Sequence, residues 1–292
     1  MTGLALLLVV CSALLHATWN FLYKRAIDKR AFAWLFGLAA AVLYLPAFLL
    51  LACDRPIPIE GWGAIAASAL VHTFYFTCLG KGYSAGDLSL VYPLSRGTGP
   101  LLVALWAVVF LGEHLSVQGA AGIVAVVAGV YILHVGELSL AGFLKPLRSI
   151  KTRPTQFALT TGLLISIYTV VDKIGVSYVQ PLVYMYLWTV LFTLIYGLYV
   201  FRTAGWISIK SEWHAHPIAI VVVGLLMVLA YTIVLFAMTM SNVSYVAAAR
   251  EISVVFGAAM GSLLLREPYG RTKVGGSALI AFGLAMIGLA QI

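Results

Sequence analysis

The chemistry open to this chain rests on a few ionisable residues set inside apolar runs. Arg96, Arg250 and Glu251 each lie in a run long enough to cross a bilayer, where an ionisable group costs about 2.5 to 3.5 kcal/mol on insertion scales and marks a functional site by default. The two arginines hold matching places in a duplicated stretch. At a constant offset of 154 residues, Arg96 falls on Arg250, Glu113 on Glu267, Gly122 on Gly276 and Gly129 on Gly283. A symmetry-related arginine pair suits a carboxylate or phosphate, which a guanidinium grips through two parallel hydrogen bonds. Snorkelling to an interface is the plainer alternative. Glu251 is the acid placed well within a run, and its counterpart at the same offset is Gly97. It fits a proton-coupling carboxylate, a contact to an amine, or an ion pair with Arg96.

A second set of residues has the spacing of a cavity lining. His16, Trp19 and Asn20 follow i, i+3, i+4 spacing and share one helix face, and His72, Tyr75 and Phe76 repeat the pattern. Tyr168, Thr169 and Asp172, and Tyr231 with Thr232, are the matching surfaces in the second half. A lone histidine on such a face is more often a hydrogen-bonded packing residue than a proton carrier. Two polar-aromatic faces together favour a binding site. Asp172 and Lys173 fall near the end of a run and are expected to be solvated. Pro93 and Pro100, with Gly97 and Gly99 between them, predict a kink beside Arg96, and broken helices near ionisable side chains point to a transporter's midplane site.

These residues need elements to hold them. The chain has 292 residues, 62% hydrophobic and only 10% charged, with a mean hydropathy of +1.02; soluble domains carry roughly 25% charge. Ten stretches reach the roughly 20 apolar residues of a spanning helix: 4–23, 32–53, 61–82, 89–111, 117–135, 156–175, 181–201, 217–240, 243–265 and 273–292. The expectation is an all-α membrane protein of ten transmembrane helices. Residues 1–135 form a first five-helix repeat, 136–155 a linker and 156–292 a second. Five spans per repeat make the second enter the membrane in the opposite sense, which is an inverted repeat. The glycine pairs Gly122/Gly129 and Gly276/Gly283, seven residues apart, each lie on one helix face suited to close backbone contact.

The net charge of +8 does not form a basic stripe interleaved with aromatics, so nucleic acid is not an expected partner. Lys and Arg instead concentrate in the loops after spans 1, 5, 7 and 9, which by the positive-inside rule puts both termini outside. Cys11, Cys53 and Cys78 have no CxxC spacing, so neither a disulfide framework nor a zinc site follows, and no cofactor or metal is expected. His114 beside Glu113 is the nearest approach to a catalytic pair. An intramembrane enzyme acting on a lipid or lipid-linked substrate is therefore the alternative function, without a convergent acid/base pair to carry it.

The ten spans, the five-plus-five repeat, the opening LLHATWN helix and the paired turns ending in Glu113 and Glu267, each followed by a glycine-rich last helix, together resemble the EamA-like ten-helix branch of the drug/metabolite transporter superfamily. The resemblance covers both halves. It implies a secondary transporter, exporter or exchanger, moving small polar metabolites by alternating access through a central cavity lined by spans 1, 3, 4, 6, 8 and 9. Amino acids or organic acids fit the arginines. It also implies a plasma membrane, in a bacterium the inner membrane, with both termini in the cytoplasm, against the loop charges. The expected partners are the lipid bilayer and a small-molecule substrate, with protons as the candidate coupling ion. The expected assembly is a monomer or weak homodimer.

Overall fold

The computed structural model describes residues 1–52, 56–85, 88–134, 151–265 and 270–290. Cys53, most of the linker, and the turn bearing Glu267 lie outside these residues, and of the Pro93 side chain nothing is described. The described elements are helices: α1 (Gly3–Tyr23), α2 (Lys29–Leu51), α3 (Ile59–Ala85), α4 (Leu88–Leu111), α5 (Val117–His134), α6 (Arg153–Tyr178), α7 (Pro181–Thr203), α8 (Gly205–Ala215), α9 (Pro217–Met240), α10 (Val243–Ala249), α11 (Ile252–Leu265) and α12 (Arg271–Leu289). Ten spans have the length and hydropathy to cross a membrane, α10 and α11 forming one between them.

Helix pairing follows from the duplication. If α1–α5 exchange with α6, α7, α9, α10/α11 and α12, the contact of α3 with α6 becomes that of α9 with α1, and the contact of α4 with α6 becomes that of α10/α11 with α1; all four exist. The pairs α2/α7 and α5/α12 map onto themselves. At α5/α12 a Cβ on Gly122 would stand 2.8 Å from the Gly283 carbonyl oxygen, and one on Gly129 would stand 2.8 Å from that of Gly276. The 154-residue exchange turns the first contact into the second, so the twofold axis passes between these antiparallel helices. Lipid tails offer no hydrophobic drive for helix association, and backbone contact of this closeness supplies packing in its place.

One helix departs from the expected pattern. Residues 202–216, between the seventh and eighth apolar runs, contain α8, which starts at Gly205 with φ of +74°. Its Ile209 and Glu212 are buried, while Trp206 and Ile207 are exposed. Buried Glu212 accepts from the Asp28 backbone N–H at 2.8 Å and pairs with His216 at 2.7 Å, tying α8 to the start of α2. The acid was missed because a short amphipathic helix between two spans has no apolar run.

Candidate functional site

The ninth span is interrupted where its charges lie. α10 ends at Ala249, α11 begins at Ile252, and Arg250 and Glu251 occupy the break. There the ladder tightens to i→i−3 bonds: Glu251 to Ala248, Ser253 to Arg250 and Val254 to Glu251. The kink expected at Pro93 and Pro100 is not matched by a break, for α4 is helical throughout Leu88–Leu111. Membrane helices tolerate proline where neighbouring groups satisfy the freed carbonyls. In span 9 two adjacent charged side chains replace proline as the local disturbance.

The two arginines meet different partners. Arg96 is buried; its Nε donates to Glu251 Oε2 at 3.1 Å and its Nη2 donates to Ser253 Oγ at 3.2 Å. Of the roles open to Glu251, the ion pair with Arg96 is the one the structure contains. Arg250 is half-buried and lies with its guanidinium carbon 4.9 Å from the centre of the Tyr231 ring. Among the described residues no carboxylate is within ion-pair distance of it, though Asp172 and Glu251 are near enough to feel its charge.

The polar-aromatic faces converge. His72 is stacked between Tyr168, at 4.1 Å between centroids, and Trp188, at 4.0 Å. Tyr75 meets His72 and Tyr168 edge-on, and Tyr231 meets His72, Tyr168 and Trp188. His72 Nδ1 lies 2.9 Å from the Ser68 carbonyl oxygen. On α1, His16 stands edge-on to Trp19 at 4.8 Å, and Asn20 spends its amide N–H on the His16 carbonyl at 2.8 Å. The indole N–H groups of Trp19 and Trp188 and the Thr232 hydroxyl are buried without a partner among the described residues. Trp188 was missed because α7 reads as a peripheral span.

Asp172 corrects the sequence most. Expected at a solvated end, it is fully buried. The span extends to Tyr178, which draws residue 172 inward. Its carboxylate accepts from Tyr184 Oη at 2.8 Å and Tyr231 Oη at 2.5 Å. Lys173 turns the other way and donates to the Met238 and Ser241 carbonyls at the end of α9.

The two ends of the bundle differ. At the end carrying the loops after odd-numbered spans, a cavity of about 750 Å³ opens between Asp28, Lys29, Arg30, Phe76, Lys81 and Arg153, among others. Of the cavity-lining faces expected from the sequence, Phe76 alone reaches it; the stacked His72, Tyr168 and Trp188 fill the centre. At its rim, burial pushes the Asp28 carboxyl up, but hydrogen bonds from the Arg30 side chain and the Arg30 and Ala31 backbone outweigh this and hold it below the usual carboxylate range. At the other end Gly112, with φ of +65°, turns the chain so that Glu113 caps α10, accepting from Val243 N at 2.5 Å and Ser244 Oγ at 2.6 Å. That explains the glutamate in the first repeat's turn.

Comparison with known proteins agrees with this architecture. A search of the curated proteins finds no match. A solved structure titled "Crystal structure of protein" superposes with a TM-score of 0.75 over 99% of this chain and 98% of its own, at 16% sequence identity, a likeness of fold. The model of the EamA-like transporter family matches residues 3–135 and again 154–289. The chain thus belongs to the EamA-like transporter family, a multi-pass membrane transporter of small molecules built from two copies of one domain.

Proposed function

We propose that the protein is a secondary transporter of small polar metabolites bearing an anionic group, such as amino acids or organic acids, working as an exporter or exchanger by alternating access. Arg250 carries this reading. Its guanidinium sits at a helix break, beside a polar-aromatic centre, with the Tyr231 face and no carboxylate in its grip among the described residues. A substrate carboxylate would take two of its N–H groups, and the unpartnered indole N–H groups of Trp19 and Trp188 are candidate donors to the rest of the molecule. Alternating access is supported by the inverted repeat and by the contrast between an open basic mouth at one end and the Glu113 and Lys173 ties at the other.

Counterflow in proteoliposomes tests it. Labelled amino and organic acids should exchange unchanged against the unlabelled compound. Exchange confined to cationic amines would overturn the anionic assignment, and a chemically altered product would point to an enzyme. The basic mouth is assigned to the cytoplasm of a plasma membrane by the positive-inside rule, which places both termini outside. A reporter active only in the cytoplasm, fused after Ile292, should stay silent; activity would reverse the orientation and leave the transport proposal standing.

A further inference from the structure

We propose that Asp172 takes up one proton when an anionic group docks at Arg250, so that the anion and a proton travel together. The inference rests on the anionic-substrate reading and adds the coupling ion, its site and its stoichiometry.

The argument is one of charge. Arg96 and Glu251 are paired and neutral together. That leaves Arg250 and Asp172 as the remaining opposite charges at the centre, held apart by one residue: Tyr231 donates its hydroxyl to Asp172 Oδ2 and offers its ring to Arg250. With the site empty, the four groups sum to zero. A monoanion on Arg250 makes the sum negative by one, and an uncompensated buried charge costs several kcal/mol. One proton on Asp172 restores neutrality.

The surroundings fit a group that changes state. The carboxylate receives hydroxyl donors from two helices, Tyr184 of α7 and Tyr231 of α9, and among the described residues no cation pairs with it directly. His72 of α3 and Tyr168, one turn away on α6, complete the titratable neighbours, while Lys173 is engaged with carbonyls at the end of α9. Once Asp172 is protonated, Tyr184 has a second acceptor in place, the Ala64 carbonyl oxygen at 3.3 Å. Tyr231 has no such alternative among the described contacts. Protonation therefore lets Tyr184 shift to the Ala64 carbonyl and leaves Tyr231, whose ring faces Arg250, on the remaining acceptor oxygen, which links the proton to the docking point.

Purified protein in weakly buffered detergent with a pH-indicating dye tests this, using acetate, lactate and benzoate as monoanionic probes and alanine as a zwitterion. Each monocarboxylate bound should take up about one proton, alanine about none, and apparent affinity for the monocarboxylate should fall about tenfold per pH unit wherever Asp172 is ionised. Asp172→Asn should bind with flat pH dependence and no proton uptake, whereas the Arg96→Gln/Glu251→Gln double variant, which removes the paired charges together, should keep both the slope and the uptake. Should Asp172→Asn not fold, Tyr184→Phe decides, because removing one donor to the carboxylate should move the onset of the slope to higher pH. Binding without proton uptake, or uptake that persists in Asp172→Asn, overturns this inference alone. Silence of every probe overturns the anion site and this inference with it.

Discussion

Arg96 and Arg250 occupy matched positions in duplicated helices, yet one is consumed by structure and the other is left for chemistry. Arg96 has Glu251 and Ser253; Arg250 has an aromatic face. The difference traces to one position, for Glu251 has Gly97 as its counterpart. A carboxylate in only one repeat neutralises the arginine of the other and leaves its own neighbour unmatched. The glycines of α5 and α12 show the opposite behaviour, keeping both sequence and contact under the exchange. Duplication thus preserves the scaffold where backbone meets backbone, and the site diverges where a side chain can be replaced without moving a helix.

The largest expected effect breaks the comparison at Arg96. Arg96→Gln leaves Glu251 buried without its cation, and breaking a buried ion pair from one side costs about 3 to 5 kcal/mol. Thermal unfolding in detergent should show that loss, and adding Glu251→Gln should recover most of it. Equal destabilisation of single and double variants would mean that the pair does not act as a unit.

Next comes Arg250. Removing the charged partner of a desolvated anion costs about 2 to 5 kcal/mol, so Arg250→Gln should weaken counterflow of an anionic substrate by at least about tenfold. Its amount in the membrane should stay near normal. Arg250→Lys should recover only part, since an ammonium cannot bind bidentately. The Arg96→Gln/Glu251→Gln double variant should still transport; if it lost transport as severely as Arg250→Gln, the two arginines would share the substrate after all.

The scaffold offers a smaller and symmetric test. Gly129→Ala and Gly283→Ala, which the exchange relates, each place a methyl group against backbone of the facing helix, at 2.8 Å and 2.6 Å. Overpacking of this kind costs about 1 to 3 kcal/mol, and the two losses in unfolding temperature should agree. A large difference between them would show that the twofold relation does not extend to the energetics of α5/α12.

How much of this was legible in the sequence depended on length scale. The ten spans, the repeat and the glycine contacts follow from apolar run length and a constant offset, and these are periodic signals. The arginine positions were legible as well, but not their inequality, because an ion pair between Arg96 and Glu251 joins residues of different repeats and leaves no trace in local spacing. Asp172 was misplaced because its neighbour Lys173 made the run look finished, whereas α6 continues to Tyr178. Trp188 was passed over because an aromatic in an apolar helix has no pattern of its own; only its stacking on His72 singles it out.

The smallest expected effect sharpens where substrate lies relative to the two arginines. His16 and Asn20 are half-buried on one face of α1, and Ala17 is buried on another. His16 is near enough to both Arg96 and Arg250 to feel their charges. In a chain freed of native thiols, which removes exposed Cys11 and partly exposed Cys78, a cysteine at 16 or 20 should react several-fold faster with a polar thiol reagent than one at 17. If substrate docks at Arg250, it should slow the reaction at 16, and in the Arg250→Gln background that protection should disappear while the reactivity stays. Protection that survives Arg250→Gln but not the Arg96→Gln/Glu251→Gln double variant would move the docking point to Arg96. Equal inertness at 16, 17 and 20 would make the α1 face a packing surface, since a stacked aromatic centre excludes the reagent as effectively as lipid does.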